Sequence, residues 1–208
     1  MGIVWSISVI ALVVLVLVNI RNLINIMPVL FNCLTFWKEN VYIQDNISQM
    51  RIRNYYSAIS VAVIALLALR YDFGVPSFIY GLDAELRPIA VIGVIMIYLG
   101  VRELASYITL GRHERRSIFN AAKYCVRNYI ILGCVLLLVS LGILSFLGVS
   151  ESVIKIVFYV EIGLSYFIAL VRKTQILASK CSPFITFLYI CALEIVPTGL
   201  LLAAVAVL

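Results

Sequence analysis

In 208 residues there is one histidine, His113, and there are ten carboxylates, few groups for a hydrolytic or metal-dependent catalyst to draw on. A lone histidine excludes bis-histidine haem ligation, a histidine-rich zinc site and phosphatase arrangements that need two histidines. No HExxH, GxSxG or Walker loop occurs. Asp45, Asp72 and Asp83 are scattered among connecting segments, so no aspartate cluster is set to hold magnesium. The chain is therefore not expected to be an enzyme, and no catalytic residue, cofactor or metal is assigned to it. The five cysteines include no CxxC pair. They give no disulfide framework and read as small apolar packing residues.

Charge is scarce as well. Only 12% of residues are charged and 64% are apolar, against about 25% and 45–50% in soluble domains. No soluble surface can be built from that composition. The apolar residues fall instead into six runs, at about 3–20, 56–71, 88–108, 128–147, 153–171 and 184–207. Crossing about 30 Å of hydrocarbon takes about 20 helical residues. The expected fold is an all-α integral membrane protein: six transmembrane helices in one bundle and one domain over 1–208. The second run is short and needs Tyr55, Tyr56 and Tyr71 as interfacial ends. The first has no basic residue before it and no small-x-small cleavage site after it, so it reads as a retained helix. The Met1-Gly2 start with Ser6 matches a loose myristoylation pattern, which a helix beginning at once makes a chance match.

Placement of the basic residues predicts the orientation. With the N-terminus outside, thirteen of the sixteen Lys and Arg residues fall on the inner side, leaving Arg70, Arg87 and Lys155 outside. The positive-inside rule selects this topology, with both termini outside. Attraction to anionic headgroups then accounts for the net charge of +6 without nucleic acid. Arg112, Arg115 and Arg116 form a basic turn. Lys123 and Arg127 continue it on a helix expected to begin near Ser117 and to merge with the fourth span. Between the first two spans, 28–37 is too short to cross. It begins with Pro28 and ends at Trp37-Lys38, as a short interfacial helix on the inner surface does.

Two carboxylates stand inside apolar runs. Glu161 lies about 12 Å below the outer end of the fifth span, and Glu194 about 15 Å above the inner end of the sixth. Both are near the midplane of an expected antiparallel pair. A charged side chain there costs roughly 2.5–3.5 kcal/mol on insertion scales, so such a residue is paired, protonated or functional. Together the two could hold a proton or a cation. Pro197 breaks the helix beside Glu194 and frees the carbonyl of Leu193, as at the discontinuous helices of transporters. The alternative is structural: Arg102, Lys155 or hydroxyls such as Tyr98 and Tyr189 satisfy the glutamates and fix helix register. Glu103 beside Arg102 reads as an interfacial ion pair.

The run Phe187-Leu-Tyr-Ile-Cys-Ala-Leu-Glu-Ile-Val-Pro197, preceded by 172–186, resembles the closing signature of an uncharacterised family of multi-pass inner-membrane proteins from Bacteroidota. The Tyr124–Gly133 region is similar too, whereas the early chain matches in hydropathy only. The resemblance implies a bacterial inner-membrane location and directs attention to Leu193, Glu194 and Pro197. It brings no activity with it. Two functional expectations remain: a small proton- or cation-coupled transporter or flippase, working as a homodimer, and a non-catalytic scaffold or accessory subunit docked on another membrane protein.

Overall fold

The computed structural model describes residues 3–18, 20–71, 79, 81–83, 85–109, 116–179, 181–199 and 203. Their regular elements are helices: α1 (Ile3–Val18), α2 (Ile20–Thr35), α3 (Trp37–Asp45), α4 (Ile47–Tyr71), α5 (Arg87–Thr109), α6 (Arg116–Phe146), α7 (Glu151–Ala178) and α8 (Pro183–Ile190), the last followed by a π-helical turn, Cys191–Ile195. Ile47–Tyr71, Phe119–Phe146 and Glu151–Ala178 are long and apolar enough to cross a membrane. Arg87–Val101 and Pro183–Gly199 are shorter apolar helices.

Local chemistry sets the boundaries. The short second run is the last part of α4, a helix of 25 residues. Asn46 starts it: the Asn46 Oδ1 accepts the backbone N–H of Ser48 at 3.1 Å and of Gln49 at 3.2 Å, which satisfies two donors that a helix start leaves open. The interfacial helix expected over 28–37 is not a separate element. Pro28 falls inside α2, and the chain breaks later, at Phe36, whose backbone is extended. Ile26, Leu30 and Cys33 of α2 are buried. Their spacing of four and three puts them on one stripe, and that stripe packs into protein rather than resting on a membrane surface.

The packing separates two compact units, Met1–Ile20 with Ala62–Gly111 and Phe187–Leu208, and Arg21–Val61 with Arg112–Thr186. In the first, Ala65, Ile79 and Val91 are buried under Leu69, Ala90 and Ile95, and α5 packs against the π-helical turn. The second is built on the hairpin of α6 and α7, which α3 joins. Gly148, at φ +66°, lets the chain reverse. Its N–H reaches the Ser145 carbonyl at 3.2 Å and the Val149 N–H the Leu144 carbonyl at 3.1 Å, the paired bonds of a glycine-terminated helix. Inward, α6 presents Ala122, Cys125, Tyr129, Cys134, Leu137 and Leu141, and α7 presents Ile154, Phe158, Ala169 and Ile176. Outward, Leu136, Val139, Ile143, Ile156, Val160 and Phe167 are exposed. An apolar outer face over an apolar inner one is what lipid contact requires.

Gly133 of α6 closely faces Ser165 of α7. A Cβ there would lie 2.9 Å from the Ser165 Oγ and 3.2 Å from its Cβ. Gly133→Ala is expected to lower stability by about 1–3 kcal/mol, as overpacking does. Ser165→Gly should recover most of that loss in a denaturant titration of the double variant.

Candidate functional site

Glu194 is fully buried in the first unit. The turn that carries it is closed by the Val196 N–H on the Cys191 carbonyl, a bond across five residues instead of four. Pro197 supplies the cause. Its ring has no N–H and crowds the carbonyl four residues back, that of Leu193, and widening the turn relieves the crowding. The break expected at Pro197 is thus a widened turn, with 196–199 helical beyond it. Tyr189 is buried just before the turn. The Tyr98 hydroxyl shares a 2.8 Å hydrogen bond with Thr198 Oγ1, which ties α5 to the residue after Pro197. The side chains of Arg102 and Glu103 lie outside the described residues.

Glu161 belongs to the second unit and is half-buried. The Ser140 hydroxyl donates to its Oε2 at 2.8 Å, so α6 and α7 are fastened at that level. Glu161 falls in the second compact unit and Glu194 in the first.

A polar and cationic cluster that composition and hydropathy conceal lies at the end of the hairpin away from Gly148. Asn128 Nδ2 donates to Asn40 Oδ1 at 2.7 Å, and the Tyr129 hydroxyl donates to the Cys33 carbonyl at 2.9 Å. Asn40 Nδ2 points back at that carbonyl, 3.4 Å away. Asn40 and Asn128 have no exposed surface, and neither has Arg53. The Arg53 guanidinium sits 5.2 Å from the centre of the Tyr124 ring, Arg127 at 4.6 Å and Lys123 at 5.4 Å. Cation-π attraction gathers three like charges around one aromatic ring. Arg172 donates to the Leu34 carbonyl and to Gln175 Oε1 at 2.8 Å. Lys173, next to it, is 2% exposed. Lys173, Arg53 and Arg172 all act electrostatically on the buried Cys125 thiol.

Cys33 shows what this interior does to an ionisable group. Burial, helped by Glu39 and opposed by Arg53, pushes the thiol from an ordinary 9.0 up to about 12. Above pH 9 the unfolded chain releases this proton while the folded chain holds it. The thiol's contribution to stability is therefore complete below pH 9 and is lost as pH rises towards 12. At pH 8, Cys33 is expected to resist maleimide in the folded protein and to label on denaturation, read by mass spectrometry of the tryptic peptide.

Of the inner basic surface expected from sequence, Lys123 and Arg127 are half-exposed and flank Tyr124. Arg116 opens α6, but its side chain lies outside the described residues, as do Arg112, Arg115 and His113 entirely. Arg53, Lys173, Asn40 and Asn128 were not marked by the sequence as site residues. The signal for them is faint: Arg53 and Lys173 each have a basic residue close by in sequence that reads equally well as a surface charge. Comparison with known protein families, curated proteins and solved structures finds no match.

Proposed function

We propose that this chain is a polytopic carrier of the bacterial inner membrane, with six spans and both termini outside, in which Glu194 takes up and releases a proton as a solute or lipid is moved. The observation that carries this reading is the placement of Glu194. It is a fully buried carboxylate in a π-helical turn of an apolar helix, and π-turns recur at functional positions. Intramembrane carboxylates of this kind serve proton relays. Tyr189, Arg102 and Glu103 are the supporting residues of this reading, and a homodimer is its working form. The chemistry is binding and translocation, not catalysis.

A second reading, a non-catalytic scaffold or accessory subunit, is favoured by Glu161. Its bond to Ser140 is what a fastener between helices needs and requires no proton movement. Reconstitution separates the two. Under an imposed pH gradient, liposomes holding the wild-type protein are expected to show protein-dependent proton flux, and Glu194→Gln liposomes none. Equal flux from both, or none from the wild type, sinks the carrier reading.

A further inference from the structure

We propose that the side of the α6–α7 hairpin on which Ser140 meets Glu161 is a docking site for a transmembrane helix of another protein, one that carries a lysine or arginine at mid-depth. The proposal rests on the scaffold reading of Glu161 and is independent of Glu194.

Position along the helix is the first argument. The helix α7 is long and apolar enough to cross a membrane. Glu161 stands ten residues after Glu151 and eleven before Arg172, so about 15 Å of helix lies on either side of it. In a spanning α7 that is the middle of a hydrocarbon core about 30 Å thick. A carboxylate at such a depth is costly and ordinarily faces a partner or a water-filled cavity.

The bonding of Glu161 leaves room for a partner. Its hydrogen bond among the described residues is the one that Ser140, a neutral donor, makes to Oε2 at 2.8 Å, and no described cation is paired with it. Unlike Glu194, which is fully buried, Glu161 is only half-buried. Its carboxylate is not sealed between the two helices.

The surroundings give that carboxylate a face. Val157, Glu161 and Leu164 recur at spacings of four and three on α7, and Leu136, Ser140 and Ile143 do the same on α6. Each trio is therefore one stripe of its helix, and the bond from Ser140 to Glu161 joins the two stripes at their middles. Leu136, Ile143 and Leu164 are exposed. The hairpin thus presents an acid at the centre of an apolar surface.

Charge complementarity selects what covers it. Lipid acyl chains match the leucines and the isoleucine but offer the carboxylate no donor. A second copy docked about a two-fold axis puts the same patch on both sides, so Glu161 would face Glu161 and the like charges would repel. A foreign helix with a cation at the same depth meets both requirements. Its apolar side chains cover the stripes, and its ammonium or guanidinium makes a charge-assisted hydrogen bond to Glu161. Each chain then relieves the other of an unpaired charge in hydrocarbon.

The test uses synthetic helix peptides of about 20 leucines, long enough to span, with lysine, glutamine or leucine at the centre, and a fourth with the lysine moved by about two turns of helix towards one end. Energy transfer from full-length protein labelled at its N-terminus to labelled peptide is measured in phosphatidylcholine liposomes, for wild type, Glu161→Gln and the exposed control Glu151→Gln. The centred-lysine peptide is expected to bind wild type about tenfold more tightly than the leucine peptide, as a charge-assisted bond allows. Glu161→Gln should abolish that preference and Glu151→Gln should change it less than about twofold. If Glu161→Gln does not fold, the wild type decides alone, by binding the centred lysine in preference to the displaced one. Equal binding of the lysine, glutamine and leucine peptides, or a lysine preference that survives Glu161→Gln, overturns the proposal. So does energy transfer between two labelled copies of the protein that Glu161→Gln abolishes, which would name a second copy as the occupant. Failure here removes the docking site only, and the proton-flux measurement still decides the scaffold reading.

Discussion

Glu194→Gln is expected to reduce proton flux through the reconstituted protein to the background of empty liposomes while leaving it folded. The replacement nearly keeps the shape of the side chain and removes its titration, so any carrier step that loads a proton on this carboxylate loses its load. Stability measured on the same samples distinguishes the reasons for a loss. If Glu194 is one partner of a buried ion pair, removing its charge costs about 3–5 kcal/mol, because the other charge is left alone. That would appear as a collapse in melting temperature or oligomeric state and would favour the scaffold reading. If the carboxylate is held for proton exchange, the amide removes a burden from the membrane interior, and melting stays close to wild type. Glu161→Gln is the internal control: it weakens one hydrogen bond, that from Ser140, and a drop of about 1–2 kcal/mol is expected without loss of flux.

The second large effect is expected at Asn128. Asn128→Leu removes the 2.7 Å bond to Asn40 and leaves the buried Asn40 oxygen without that donor. A lost hydrogen bond and the desolvation of an abandoned acceptor together amount to about 2–4 kcal/mol. Asn40→Leu should cost a similar amount by the same route. The double variant carries neither half of the pair, so its loss should fall short of the sum of the singles by about 1–2 kcal/mol. A denaturant titration of the four proteins measures the coupling. Strict additivity would mean that the two amides do not stabilise the protein through one another.

The all-helical, apolar character of the chain was legible because hydrophobic runs report it directly, and three of its helices are long and apolar enough to cross a membrane. Boundaries at 88–108 match α5 at Arg87–Thr109, and the helix expected near Ser117 is α6, starting at Arg116. Hydropathy could not show that α4 begins at Ile47, because its first turns are polar and owe their start to the Asn46 cap. Nor could it separate a buried stripe from an interfacial one at Pro28–Trp37: both have the same spacing, and what differs is a partner in α6. Pro197 announced a break at Glu194 but not its form, since a proline is accommodated by a kink or by a π-turn according to what packs around it. Arg53 and Lys173 were hidden for a simpler reason. In a scarcely charged chain every basic residue reads as a boundary marker, and burial of two of them depends on contacts far apart in sequence.

Distance along the chain also orders events during synthesis. Asn40 meets Asn128 across 88 residues, and the Cys33 carbonyl meets Tyr129 across 96. At about 5–20 residues per second, the ribosome takes roughly 5–20 seconds to deliver those partners after α2 and α3 have emerged. For that interval the Cys33 carbonyl has the Asn40 amide nitrogen within 3.4 Å but not the Tyr129 hydroxyl, and the Asn40 Oδ1 has not yet met Asn128. The α6–α7 hairpin, closed by a turn at Gly148, waits for nothing upstream and can pair as soon as it is made, so the early helices are completed by the late ones.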